Sequence, residues 1–200
     1  MGKIQHYPHM KSIGLYDIIQ LQWKRDQEGR MLMYQTGDKV LYGMHGVCTV
    51  VELENRVMDG KQVVYLVLEP TGQSGSRFLV PTHNAAAMAK VRPVLSAEAL
   101  EELLSSDSIR EDAWVRDEGQ RKQLYRELIS SCDRHRLARM ICSLYRYRKA
   151  QTAAGKKFHM CDENFLRDAE KILAGEIAST LEIPSTEAIK YLRSKLKEDA

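Results

Sequence analysis

Two hydrophobic periodicities divide the chain. Between residues 34 and 94, apolar and β-branched residues alternate with polar ones in short runs, which is typical of half-buried β-strands. From Ser96 onward, apolar residues recur every three or four positions, which is typical of amphipathic helices. The change of period predicts an α+β protein in which a small sheet is followed by an all-α bundle.

The first region predicts five short antiparallel strands. They are DKVLY, GVCTVVELENRVM, KQVVYLVLE ending at Pro70, RFLVP, and a last short strand at 90–94. Asp59-Gly60 predicts a two-residue hairpin, because both turn positions need positive φ. Five such strands favour a small curved sheet or an SH3-like barrel. A barrel of this size has little room for a catalytic cavity and more often offers an edge strand or loop to a partner.

The second region predicts four or five helices. Ser96 can cap a short helix over 97–104, and Ser108 with Glu111 forms a capping box that predicts a helix from about residue 109 to 131. Three further helices are predicted from the candidate caps Asp133, Asp162 and Ser185. One apolar stripe on each of the four longer helices is predicted to pack inward, represented by Leu128, Met140, Ile172 and Leu192.

Residues 1–30 fit neither pattern. They hold one short apolar cluster, 13–21, ahead of a polar run. We expect the natural start at Met31 or Met33, with the upstream piece an extension that is not native. The alternative is a genuine arm with an amphipathic helix at about 13–23.

The charge is unevenly distributed. The formal net charge is only +3, but residues 116–157 hold twelve Lys or Arg against four Asp or Glu. Arg136, Arg139, Arg146 and Lys149 fall on one face of the third predicted helix. Such a local excess is a candidate binding surface for a polyanion, although charge alone favours the simpler interpretation of a solvated helix face.

Trp114 stands at the head of this basic segment. In the first turn of a capped helix, among Asp112, Arg116 and Asp117, it does not share the stripe of Leu124 and Leu128. The pattern leaves two interpretations open: a semi-buried core residue, or an exposed ring that stacks on a flat partner.

The sequence contains no recognisable catalytic constellation. The glycine-rich phosphate loops, the HExxH motif and the GxSxG motif are missing, and His45, His83 and His135 each stand apart from other candidate groups. The four cysteines lack CxxC pairing, which favours free thiols over zinc or disulfides. No apolar run reaches membrane-spanning length. We therefore expect a binding protein without enzymatic activity, metal, cofactor, small-molecule substrate or membrane association.

Several segments resemble the CarD family of bacterial transcription regulators. GDKVLYGMHGVCTVVELE, the DGK hairpin, YLVLEP and RFLVPTHNA resemble the family's N-terminal RNA-polymerase-interacting domain, which is also found in the transcription-repair coupling factor. The helical segments, from AWVRDEGQRKQLYREL to DAEKILAGEIA, resemble its C-terminal DNA-binding domain. The resemblance covers nearly everything from Met33 onward, whereas residues 1–30 have no counterpart.

The resemblance implies four segments and two partners. Residues 31–94 are expected to form a Tudor-like domain that binds the polymerase β subunit by its sheet edge, and 95–110 a linker with a short helix. Residues 111–200 are expected to contact promoter DNA just upstream of the transcription bubble, without reading sequence. Residues 1–30 are the extension described above. The protein would act in the cytoplasm, associated with the nucleoid.

The resemblance also assigns residues. Trp114 matches a family tryptophan that wedges into the minor groove at the bubble edge, which makes the exposed interpretation the favoured one. Asp117 and Glu118 interrupt the basic pair expected after it, so phosphate contacts are predicted one turn later. The predicted DNA contacts are Trp114, Arg116, Arg121, Lys122, Arg126, Arg139 and Arg146. The predicted polymerase contacts are Glu54, Arg56, Val57, Lys61, Arg77 and Leu79.

Two other functions remain open from the sequence. One is an interaction scaffold, in which a Tudor-like domain and a helical docking bundle bind proteins and never touch DNA. The other is an enzyme of unrecognised class, which the missing constellation disfavours. Salt-sensitive, sequence-independent DNA binding would argue against the scaffold.

Overall fold

A computed structural model describes residues 22–25, 31–58, 60–72, 75–131 and 133–197, with the side chains of 22–33, 61 and 197 excepted. Most of the predicted extension therefore lies outside the described residues. Its one described piece is β1, Gln22–Arg25, which pairs antiparallel with β2, Met31–Tyr34. Trp23 thus lies on a strand, so the alternative helix at 13–23 does not reach that residue.

The first region forms an open antiparallel sheet of five strands. They are β3 Lys39–Tyr42, β4 Val47–Met58, β5 Lys61–Pro70, β6 Phe78–Pro81 and β7 Val91–Pro93, in the spatial order β6-β5-β4-β3-β7. The predicted strands and the α+β class are confirmed. The predicted SH3-like or Tudor-like barrel is not, because β6 and β7 lie at opposite edges of the sheet and do not pair with each other.

The longest strands form a hairpin that extends past its neighbours. Met58 pairs with Lys61, and Gly60 has φ 72°, as the predicted two-residue turn requires. The core under the sheet combines Val40, Cys48, Val50, Leu66, Leu68 and Val80. Because β4 pairs with β3 only through residues 47–49, and β5 with β6 only through 65–68, the hairpin projects from the sheet as a two-stranded arm.

The second region is helical. A short helix, α1 Ala85–Met88, precedes β7, and then come α2 Ala97–Ser105, α3 Glu118–Ser131, α4 Arg134–Ala153, α5 Met160–Thr180 and α6 Ser185–Lys197. Ser96 and Asp133 accept backbone hydrogen bonds at their helix starts, as predicted. The predicted stripes form one core, which includes Leu128, Met140, Ile172 and Leu192.

Two predicted helix starts were wrong. No helix begins near Ile109: the 3₁₀ turn Asp107–Arg110 leads into an irregular segment, 111–117, and α3 starts only where Asp117 accepts from Gln120 N–H at 2.8 Å. Asp162 does not cap α5 either, because the N-cap is His159 and Asp162 lies buried within the first turn. In both places the predicted capping side chain, Ser108 or Asp162, makes a different contact.

The two regions pack against each other. Leu41 and Val47 of the sheet belong to the helical core, together with Leu95 from the connection. The predicted linker, 95–110, also joins this core through Leu100, Leu103, Leu104 and Ile109. Cys48 and Cys142 are buried free thiols, and Cys161 is a half-buried one, while Cys132 lies outside the described residues.

Candidate nucleic-acid interface and projecting arm

Trp114 lies half-buried in the irregular segment 111–117, packed against the helical core. One face stacks on Tyr147 of α4, with ring centroids 3.5 Å apart and planes 18° from parallel. The guanidinium of Arg121 lies over its ring, 4.3 Å from the centroid. Phe158 continues the aromatic cluster, 6.1 Å from Tyr147. The exposed, outward-pointing ring favoured from the sequence is therefore not the conformation of this structure.

Arg121 is a structural residue here. Its side chain is 7% exposed and forms a two-pronged ion pair with Asp162, at 3.0 and 3.1 Å. It also donates to the carbonyls of Val115 and Arg116, at 2.9 and 3.2 Å. The contact of Arg121 with phosphate stays a prediction, and in this structure every nitrogen of the guanidinium is engaged inside the protein. Through its hydrogen bonds to Val115 and Arg116, Arg121 holds the segment that carries Trp114.

Arg139 and Arg146 hold the same segment from α4. Arg146 donates to the carbonyls of Arg110 and Glu111, the latter at 3.0 Å. Arg139 donates to the Asp112 carbonyl at 3.2 Å and pairs with the Glu111 carboxylate at 3.1 Å. Two of the predicted DNA contacts are therefore occupied by internal contacts that replace the helix predicted here.

Asp112 completes the anchoring. Its carboxylate accepts from the Ser143 hydroxyl at 2.9 Å and from Trp114 N–H at 3.1 Å. The Ser143 hydroxyl, followed by the Trp114 N–H, holds the pKa of Asp112 below its usual range. The position of Trp114 thus depends on an ionised carboxylate two residues earlier in the chain.

The remaining predicted cations do face solvent. Arg116 and Arg126 are exposed, and Lys122 is half-buried and paired with Glu118 one turn earlier. Lys156 and Lys157 are also exposed, next to Phe158 of the aromatic cluster. Sequence reasoning had counted these two lysines in the basic segment but not chosen them as contacts.

Sequence reasoning also missed the groups that fix Trp114. Tyr147 lies ten residues beyond the stripe residue Leu137, and the sequence predicts Asp162 as a helix cap and not as a partner of Arg121. Tyr147 carried one signal, since an aromatic residue on the basic face of α4 needs a partner. No signal in the sequence predicts the pairing of Asp162 with Arg121, which are 41 residues apart.

The predicted polymerase residues lie on the arm and the neighbouring edge strand. Leu79 is opposite Val67, which is opposite Glu52, so alternation places Glu54 and Arg56 on the same face of the sheet. Glu54 pairs with Arg56 at 2.8 Å, and on this face Arg77 pairs with Glu69 at 3.6 Å.

Val57 lies on the opposite face of the arm and is 72% exposed, since the sheet core ends before it. Met58 is 51% and Leu79 37% exposed. Lys61 pairs with Met58 at the turn, and its side chain is outside the described set. The structure thus brings four of the six predicted residues to one face and leaves Val57 on the other.

Neither a metal centre nor a membrane segment is found in the described residues. No cluster of three His, Cys, Asp or Glu side chains in this part of the chain is arranged to bind a metal ion. Of the helices within it, none is both long and apolar enough to cross a bilayer.

A family comparison identifies the sheet region. The family model for the CarD-like/TRCF RID domain matches residues 34–94. The match begins at the end of β2 and ends directly after β7, so it covers the whole five-stranded sheet and the projecting arm.

Proposed function

From its membership of the CarD-like family, carried by an RNA-polymerase-interacting domain at residues 34–94, we propose that this chain is a transcription regulator with two binding regions. The arm and edge strand bind the β subunit of bacterial RNA polymerase. The helical half contacts promoter DNA upstream of the bubble and prolongs the open complex, in the cytoplasm at the nucleoid. The match at 34–94 is the observation that carries the proposal.

The arm supports the polymerase contact. Among the described residues, the side of β4 that faces away from β5, beyond residue 50, and the outer side of β6 have no neighbouring strand, so an extended segment of another protein could add to the sheet there. Val57, Met58 and Leu79 are apolar and exposed beside these edges. Apolar side chains next to an open edge favour a protein partner over solvent.

The aromatic cluster supports the DNA contact. Trp114 already stacks between two flat groups, and a base step could replace Tyr147 or the Arg121 guanidinium at similar stacking energy. We therefore propose that Trp114 leaves this stack to wedge at the bubble edge. Because one stacking contact replaces another, the free-energy cost of moving Trp114 is low.

Phosphate contacts are proposed for the cations that face solvent in this structure. From the predicted set these are Arg116, Arg126 and the half-buried Lys122, and we add Lys156 and Lys157 beside the cluster. These side chains would neutralise phosphates without reading bases.

The lifetime of a promoter open complex tests this function. With purified bacterial polymerase, the wild type should lengthen the lifetime, by about tenfold if it contributes about 1.4 kcal/mol. Trp114→Ala should bind the β subunit as the wild type does but lengthen the lifetime much less. Phe158→Leu, altered in the same cluster but away from the stack, is the matched control and should keep the effect.

The internal use of Arg121, Arg139 and Arg146 favours one second candidate, the protein-binding scaffold. The same experiment separates the two. A wild type that binds the β subunit, leaves the lifetime unchanged and shows no salt-sensitive DNA binding would establish the scaffold instead.

A further inference from the structure

The connection between the sheet and the helices is held by two charged residues, one largely buried and one fully buried. Arg134, the first residue of α4, donates to the Pro93 carbonyl at 2.5 Å. Glu176 of α5 accepts from Leu95 N–H at 3.0 Å. Thr180, one turn later on α5, donates to the Leu95 carbonyl at 3.1 Å. Three backbone groups at the end of β7 are thus bound by side chains from two helices.

Arg134 and Glu176 also bind each other. Nε and Nη2 of Arg134 lie 2.7 to 3.0 Å from the carboxylate oxygens of Glu176. The side chain of Arg134 is only 11% exposed and that of Glu176 only 1%. Forming a buried ion pair costs desolvation free energy. Removing one partner costs more, because the remaining charge stays buried without a counter-charge or water. The pair therefore holds Pro93 and Leu95 more tightly than two neutral hydrogen bonds would.

Helix stability does not explain the position of Arg134. A cation in the first turn of a helix meets the positive end of the helix dipole, which disfavours it. The side chain instead reaches away from α4 to Glu176 and to the last residue of β7. Its contacts serve the junction between the two regions.

Apolar contacts fix the same junction from the other side. Leu41 and Val47, paired across β3 and β4, pack into the helical core with Leu95. A sheet attached only by a flexible connection would not need this shared core. The ion pair and the shared core together define one orientation of the arm relative to the aromatic cluster.

We propose that Arg134 and Glu176 are positioning residues that set the angle between the two binding regions, so that polymerase and upstream DNA are held at once. This inference rests on the proposed function. A rigid junction of the correct span raises the effective concentration of the second partner once the first is bound. Loss of the ion pair should therefore weaken the simultaneous binding of polymerase and DNA, while binding to each partner alone persists.

Glu176→Gln tests the proposal against Glu170→Gln. Glu170 lies on the same helix, is 4% exposed and pairs with Arg193 at 2.7 Å, but it touches only the helical half. Both variants remove one buried carboxylate charge from α5. Only Glu176→Gln alters the junction. If a buried charge contributed only to the stability of the fold, the two variants would behave alike.

Four quantities are measured on the full chain. They are the affinity for the isolated β subunit, the affinity for duplex DNA, the open-complex lifetime, and the distance distribution between labels at Asn55 on the arm and Lys190 on α6. For Glu176→Gln we expect both affinities within about twofold, a broader distance distribution, and a lifetime effect reduced about tenfold, equivalent to about 1.4 kcal/mol of coupling. Glu170→Gln should match the wild type in all four.

The outcomes separate the two proposals. An unchanged distance distribution and lifetime effect in Glu176→Gln would overturn the positioning role. If the wild type itself does not lengthen the lifetime, the proposed function fails, and the distance distributions still decide whether the pair sets the angle. Should Glu176→Gln not fold, Arg134→Lys, which keeps the charge but loses one prong, should show the same changes at smaller size.

Discussion

The two regions of this molecule bury charge very differently. Among the described residues, the four buried charged side chains are Arg121, Asp162, Glu170 and Glu176, and all lie in the helical half. The sheet half buries none in that part of the chain, and its core is apolar apart from the Tyr34 hydroxyl, which donates to the Val91 carbonyl. Strand alternation and turns can specify the sheet, whereas irregular segments of the helical half are held by specific ionic contacts.

The largest effect should come from breaking one of those contacts. Asp162→Ala leaves the buried Arg121 without its partner, and we expect the free energy of unfolding to fall by about 3–5 kcal/mol. Urea unfolding followed by far-ultraviolet circular dichroism measures it. The control is Glu163→Gln on the same turn, whose half-exposed pair with Arg148 should contribute less than about 1 kcal/mol. Equal losses in both variants would contradict the comparison.

A substitution in the sheet core should have a smaller effect. Leu66 is fully buried among apolar side chains, and Leu66→Met nearly conserves volume. We expect a loss below about 1.5 kcal/mol in the same unfolding experiment, because no polar group is left without a partner. A loss as large as that of Asp162→Ala would mean that the sheet core depends on specific contacts as strongly as the helical one.

The aromatic stack should contribute less again. Tyr147→Leu keeps an apolar side chain under Trp114 but removes the facing ring, so we expect a loss of about 0.5–1.5 kcal/mol and a red shift of tryptophan emission. Emission is measured in a Trp23→Phe background, so that Trp114 alone reports. Unchanged emission would show that Trp114 already spends its time outside the stack.

The smallest effect is a dependence on pH. Because the pKa of Asp112 is below its usual range in the folded protein, its contribution to stability is complete above the ordinary carboxyl pKa of about 3.9 and is lost as pH falls through the lower folded value. Trp114 emission should therefore change on acidification below about pH 4. In Asp112→Ala the altered emission should be present already at neutral pH. Asp107→Asn, an exposed acid of the preceding turn, should behave as the wild type.

These differences explain how much could be predicted from the sequence. The hairpin at Gly60, the strands and the caps Ser96 and Asp133 follow from local rules, and the structure confirms them. The segment 111–117 was mistaken for helix because Ser108 and Glu111 satisfy a capping pattern locally. Nothing local indicates that Arg139 and Arg146 bind the backbone there instead.

The choice between an open sheet and a closed barrel could not be made from the sequence for a related reason. Five strands of the observed lengths fit both a closed barrel and an open sheet, and the choice depends on whether β6 meets β7. The projecting arm, which results from unequal pairing along β4 and β5, depends on register as well as on length. Of the candidate site, the arm residues and Trp114 could be chosen from the sequence, but the stack of Trp114 could not.

The anchoring of segment 111–117 has a consequence for ionic strength. Each phosphate that a protein neutralises on duplex DNA adds about −0.9 to the slope of log affinity against log salt concentration. Of the six cations predicted from the sequence, Arg121, Arg139 and Arg146 bind internal oxygens. Because Lys156 and Lys157 offset two of these three, a duplex bound on this surface would release about one fewer counterion than the sequence suggests, and its affinity would depend slightly less steeply on salt.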